Sequence, residues 1–217
     1  MDTQENASSG VPQTEVKTKE KSFAGEGKNI ILGITGTSGA IFGLRMLRAL
    51  IVSNINVDLI LTEFAHYTLF KECGVELKQG NLQNIFPELL VHKSVVKFHN
   101  NLDLKSEIFM DWYTAYGMIV CPCAMDYVSG IANGESKTLI EKCADWTFSY
   151  GKPLIVVPRE TPVNKIQLSN LIKIIEAGGK ILPAMPSYEY NPQNFNDLAD
   201  YIAKKALGLL IGDKETT

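Results

Sequence analysis

No stretch of this 217-residue chain approaches the ~18 consecutive apolar residues that a bilayer-spanning helix needs. Charge of one sign is not in excess either. A formal net charge of −3 gives no electrostatic reason to expect nucleic acid or an acidic membrane as partner. No internal repeat is visible, and neither G-x-x-x-x-G-K-[ST] nor G-x-G-x-x-G occurs, which argues against a nucleoside triphosphate and against ordinary dinucleotide binding. Cysteine is sparse. Cys73, Cys121, Cys123 and Cys143 stand in a chain with no secretory signal, which fits a reducing, cytoplasmic setting. Cys121 and Cys123 form a C-x-C within an apolar run, with no further ligands at metal-binding spacing, so buried free thiols are expected.

What is present suits one globular domain. Hydrophobic residues make up 45% and charged residues 21%, enough for a sizeable core. The stretch 1–28 is polar, mixed in charge and poor in apolar residues, and is expected to be a disordered tail. It is neither Arg-rich nor amphipathic, unlike a transit peptide. Residues 213–217 form a short C-terminal tail beyond a domain of 29–212.

From Asn29 apolar runs alternate with helical spacing. "NIILGIT", "NVDLILT", "GMIVCPC", "PLIVVP" and the short "KILPA" read as strands. Helices are expected around 40–51, 63–72 and 136–150, on the face marked by Leu168, Leu171, Ile172 and Ile175, and from Phe195 to Leu209. The stretch 74–116 is expected to hold short helices and loops. Continuous apolar strands separated by helices imply a parallel sheet covered on both faces, a Rossmann-like (flavodoxin-like) doubly wound α/β fold in a single domain. Ligands of such sheets sit at the carboxyl ends of the strands.

"GITGTSGAIFGLR" (33–45) lies at one such end. Gly36 and Gly39 allow close approach, Thr37 and Ser38 add hydroxyls, and a helix start offers free N–H groups, so a monophosphate ester fits. The alternative is a tight turn with Ser or Thr as N-cap. The positive charge that the loop lacks can come from "IVVPRETP", where Arg159 and Glu160 follow the fourth strand. Thr161 and Pro162 there read as a helix N-cap and first turn.

With "GITGTSGAIFGLRML", "MIVCPCAM…GIANG", "PLIVVPRETP" and "ILPAMPSYEYNPQ", the chain resembles the flavin prenyltransferases, the UbiX-like flavoproteins, from about Lys28 to Ile211. The resemblance implies FMN binding at subunit contacts of a homo-oligomer, trimer or dodecamer. It implies transfer of dimethylallyl from its monophosphate to the flavin, with prenylated FMN as product for a partner decarboxylase. It places the flavin-phosphate loop on Gly36, Thr37 and Ser38, with Thr62 where the family has serine. Arg159 falls on a flavin-contacting arginine, with Glu160 as the acid beside it. The flavin-edge loop falls on Ala124, Met125, Asp126 and Tyr127.

Departures concentrate in what the resemblance implies is the prenyl-phosphate pocket. Ala124 replaces serine, Asp126 lysine, Tyr127 threonine and Ser149 lysine. Lys142 and Lys205 stand for arginines, Glu189 for the tyrosine that contacts prenyl phosphate, and "MDWY" (110–113) for a "S-G-S-F"-like segment. Arg159, Lys142 and Lys205 would then hold the prenyl phosphate, with Glu160 moving protons and Glu189 in the substrate pocket. Two other readings share the scaffold. One is a non-prenylating FMN enzyme, dihydropterin reductase-like or a decarboxylase, taking a planar reducible compound near Asp126 or Glu189. The other is a flavin carrier. His66, after the second strand, is read as a surface or core residue.

Overall fold

The computed structural model describes residues 28–109 and 115–212. The tails expected at 1–28 and 213–217 fall outside these residues except for Lys28, and so do Trp112 and Tyr113. Six strands are β1 (Asn29–Ile34), β2 (Asn56–Leu61), β3 (Val96–Asn100), β4 (Gly117–Cys123), β5 (Leu154–Pro158) and β6 (Lys180–Ile181). All pair in parallel in the order β3-β2-β1-β4-β5-β6. The order reverses between β1 and β4, which opens a crevice at their carboxyl ends.

The helices are α1 (Ala40–Val52), α2 (Glu63–Cys73), α3 (Leu82–Ile85), α4 (Met125–Ala132), α5 (Leu139–Ser149), α6 (Lys165–Glu176) and α7 (Phe195–Ile211). Strand side chains alternate between two cores. Leu32, Leu59, Ile119 and Val157 face one side with Met46 and Leu50 of α1, Leu69 of α2 and Ile202 and Ala206 of α7. Ile31, Ile60, Val120 and Val156 face the other with Val128 of α4, Ile140 and Cys143 of α5 and Ile174 of α6. Both faces are covered, which is why these strands read as unbroken apolar runs. Cys121, Cys123 and Cys143 are buried in these cores as free thiols, and burial pushes all three thiols up.

Two expectations are corrected. The stretch 74–116 contains a strand, β3, besides its short helical turns. Its sequence, VKFHN, escapes notice because it forms the sheet edge and alternates polar with apolar residues. Helix α6 starts not at Thr161-Pro162 but at Lys165, where Asn164 and Gln167 form a reciprocal capping box.

Gly43 lets α1 lie directly on the sheet. A Cβ there would stand 2.8 Å from the Cys121 carbonyl oxygen and 3.0 Å from Ile34 Cγ2. Gly43→Ala must push a helix from a strand, so it is expected to cost about 1–3 kcal/mol, read as a lowered melting temperature.

Candidate functional site

The ends of β1, β4 and β5 are stitched into one platform. The Thr35 hydroxyl donates to the Pro122 carbonyl (2.9 Å) and accepts from the Ala124 amide (2.7 Å). The Thr37 hydroxyl donates to the Arg159 carbonyl (3.2 Å), and the Arg159 amide donates to the Cys123 carbonyl (3.3 Å). Thr35 is fully buried. The loops that follow each strand are therefore held in fixed mutual positions, as a binding site requires.

Two clefts flank this platform. The first, about 540 Å³, is lined by Gly36, Thr37 and Thr62 from the ends of β1 and β2, and by Ala124, Asp126 and Tyr127 around the start of α4. Asn100, Asn101 and Thr138 add amides and a hydroxyl, and Leu61, Phe64 and Leu102 add apolar walls. Asn101 is a second organising residue. Its carbonyl and Oδ1 accept from the first amides of α5, while its Nδ2 donates to the Tyr127 hydroxyl at 3.0 Å. Burial pushes the Tyr127 phenol up, the Asn101 hydrogen bond opposes this, and the charges of Asp126 and Glu141 add to the rise.

The second cleft, about 510 Å³, holds Arg159 and Glu160 against Met125, Val163, Leu168, Leu171 and Met185. It pairs a charged head with an apolar wall. Met125 faces this cleft while its chain neighbours Ala124 and Asp126 face the first, so the loop after β4 divides the two.

The structure thus brings nine of the residues singled out in the sequence to the two clefts. Four others stand apart from the cleft linings. Ser38 turns to Glu72. Lys142 donates to the Leu104 carbonyl (3.1 Å) and lies over the Phe109 ring. Glu189 is exposed in the loop before α7, its amide donating to Ser187. Lys205 lies over Tyr201 on α7. His66 is half-buried on α2.

Glu72, at the end of α2, is the residue that sequence reasoning missed. Its Oε2 accepts from the amides of Gly39 (2.8 Å) and Ala40 (2.9 Å), the first free donors of α1. Neither Thr37 nor Ser38 caps that helix: the N-cap is Gly39, in the left-handed region at φ 93°, with no side-chain hydrogen bond of its own. A carboxylate thus occupies the anion-attracting helix start, and the open part of the loop is Gly36 and Thr37. Burial acts to raise the Glu72 carboxyl. The two amides, the Ser38 hydroxyl and the Arg159 charge outweigh it and hold the group below its ordinary 4.5. Its stabilising contribution is present above that value and is lost as pH falls through the folded-state value. Glu72→Gln is therefore expected to be less stable than the parent at pH 7, with the gap closing as the pH drops below 4.5. Urea unfolding at the two ends of that range checks this.

The donor set of the first cleft suits a polyhydroxylated chain joined to a flat ring: hydroxyls and amides near the strand ends, apolar side chains at the rim. Comparison with known proteins gives the family. The family model described as Flavoprotein matches residues 18–207, starting within the stretch read as a tail. Flavin prenyltransferase UbiX of Alkalihalophilus pseudofirmus is 36% identical over 184 residues, 84% of this chain and 91% of that one. The crystal structure of AnUbiX in complex with FMN and dimethylallyl pyrophosphate superposes with a TM-score of 0.73 at 28% identity, over 86% of this chain and 95% of that one. A dodecameric FMN-dependent UbiX-like decarboxylase from Escherichia coli O157:H7 gives 0.72 at 27% identity, over 82% and 92%.

Proposed function

The chain belongs to the flavoprotein family, and on that premise we propose that it is a flavin prenyltransferase, moving a dimethylallyl group from dimethylallyl phosphate to FMN. The observation that carries this reading is the pair of clefts divided by the single loop 124–127, one lined by hydroxyls and amides together with Asp126 and Glu63 and the other pairing Arg159 with an apolar wall. When bound, FMN supplies the ring that accepts the prenyl group.

The residues that would hold FMN are Gly36, Thr37 and Thr62 at the strand ends, with Ala124, Asp126 and Tyr127 beside the ring and Arg159 behind them. In the second cleft the Arg159 guanidinium offers a planar fork of donors to a phosphate, and it would stabilise charge that develops on the leaving phosphate. Glu160 stands next to it, its Oε1 accepting from the Thr161 amide at 2.9 Å, and can take or return a proton at the reacting centre. Leu168, Leu171 and Met185 form the apolar end of this cleft. Ser38, Lys142, Glu189 and Lys205 reach the site only if loops or a neighbouring subunit bring them there. Assembly of several copies fits the exposed apolar side chains Phe64, Tyr67 and Phe70 of α2 and Ile166, Ile172 and Ile175 of α6. A prenylated flavin leaving this site would serve a separate decarboxylase. Among the described residues no helix is long and apolar enough to cross a membrane.

The test is direct. The purified full chain, supplied with reduced FMN and dimethylallyl phosphate, is expected to yield flavin heavier by one dimethylallyl group. Bound FMN with unchanged mass would instead support a non-prenylating flavoprotein.

A further inference from the structure

A serine, a histidine and an aspartate meet outside both clefts. After β3 the backbone turns twice: the Asp103 amide donates to the Asn100 carbonyl (3.0 Å), and the Ser106 amide donates to the Asp103 carbonyl (3.3 Å). These turns bring the Ser106 hydroxyl to 3.0 Å from Nδ1 of His99, whose Nε2 lies 2.7 Å from Oδ1 of Asp58 on β2. A carboxylate only accepts, so Nε2 carries the proton of the neutral ring and Nδ1 accepts the Ser106 hydroxyl. Asp58 and His99 are nearly sealed from water, yet His99 and Ser106 form part of the wall of a further cavity of about 570 Å³. Two cations, Lys97 and Lys105, and two carboxylates, Asp103 and Glu107, line it as well. Lys97 pairs with Glu107 at 3.6 Å. Asn100 also lines it; its Oδ1 accepts from the Leu102 amide (2.9 Å), which leaves its Nδ2 to donate.

We propose that Ser106, His99 and Asp58 form a second catalytic centre, independent of the flavin reading, which hydrolyses short uncharged carboxylic esters through an acyl-Ser106 intermediate. A hydroxyl bonded to a base that is itself oriented by a third group is the arrangement that activates a serine. Holding the sheet edge needs only that both ring nitrogens be paired; it does not need one partner to be an alcohol on a cavity wall. Equal numbers of cations and carboxylates give no preference for a charged substrate. Phe98 is the one large apolar residue among the described lining residues, so a long acyl chain would find no grip. Ser106 Oγ attacks the carbonyl carbon, and its proton passes to His99 Nδ1. The Lys97 and Lys105 ammonium groups and the Asn100 amide line the same cavity and can meet the charge on the carbonyl oxygen. The bond from the acyl carbon to the alcohol oxygen breaks as His99 returns that proton to the departing alcohol. Water then attacks the acyl carbon and gives a proton to His99; the acid leaves as Ser106 takes that proton back. Asp58 touches no substrate. It is a positioning residue that fixes the tautomer of the ring and stabilises the imidazolium while the proton is held.

The purified full chain is treated with a fluorophosphonate probe, which Ser106 attacks at phosphorus with loss of fluoride. One adduct per chain is expected, located on Ser106 by peptide mass spectrometry. Hydrolysis of p-nitrophenyl acetate is expected to be blocked by the probe and to fall at least ~100-fold in Ser106→Ala, with transfer of dimethylallyl to FMN unchanged within about twofold. Asp58→Asn keeps an acceptor oxygen beside the ring but removes its charge, and is expected to slow labelling at least ~10-fold. A residue that merely braced the sheet would change the melting temperature and not this rate. Should Ser106→Ala fail to fold, labelling of the parent chain decides. A folded parent with no adduct on Ser106, or an Asp58→Asn chain labelled as fast as the parent, would overturn the proposal. A chain that labels on Ser106 and takes up no FMN would overturn the flavin reading and leave this one standing.

Discussion

Arg159→Ala is expected to lower kcat/KM for dimethylallyl phosphate by about 100- to 1000-fold, the usual consequence of removing one fixed donor from a site where anionic charge develops. No other arginine or lysine lines either cleft among the described residues. Its backbone does separate work, accepting from Thr37 and donating to Cys123, and that survives the substitution. The side chain is only half-buried and passes over Gly39, with Cγ 3.7 Å from where a Cβ would stand. Stability is therefore expected to change by no more than about 0.5 kcal/mol. Arg159→Lys supplies the charge without the planar fork and recovers only part of the rate. Liquid chromatography with mass detection of the flavin product measures all three proteins. An alanine variant as fast as the parent would remove the second cleft as the place of the prenyl phosphate.

That Arg159 could be picked out of the sequence, and Glu72 could not, follows from how each is placed. Arg159 follows a buried strand within two residues, so the general rule for parallel sheets points to it. Glu72 lies 33 residues from the amide it binds, at the exposed end of a helix, and no local pattern announces a contact made only in the folded chain. Thr35 is similar. It reads as the last residue of a strand, yet its hydroxyl orders the loop after β4. Strands β1, β2, β4 and β5 were legible because burial on both faces writes a continuous apolar run. The edge strand β3 carries Lys97 and His99 and writes none. The cap of α6 was legible in principle: Asn164 followed three residues later by Gln167 is a stronger start signal than the Thr-Pro pair before it.

One further signal stood in plain view, the aspartate inside the apolar run "NVDLILT". Asp58 on β2 is buried, and its Oδ1 lies 2.7 Å from Nε2 of His99 on the neighbouring edge strand, with both side chains nearly sealed from water. The Nδ1 of the same ring lies 3.0 Å from the hydroxyl of buried Ser106. With its proton on Nε2 the imidazole donates to Asp58 and accepts from Ser106, so each of these contacts is matched. Asp58→Ala breaks this chain at one end and leaves a buried ring nitrogen without its partner. The expected cost is about 3 kcal/mol, a fall in melting temperature of roughly 6–12 °C for a chain of this size. Asp58→Asn keeps an acceptor oxygen in place and is expected to cost about 1 kcal/mol. Asp58→Ala combined with His99→Leu costs less than the two singles together, because the groups share one network. The effect reaches the site, since β3 ends at Asn100, which with the following Asn101 lines the first cleft. FMN affinity should therefore fall in Asp58→Ala and return in Asp58→Asn. Equal melting temperatures for alanine variant and parent would mean that the edge strand is held by its backbone ladder alone.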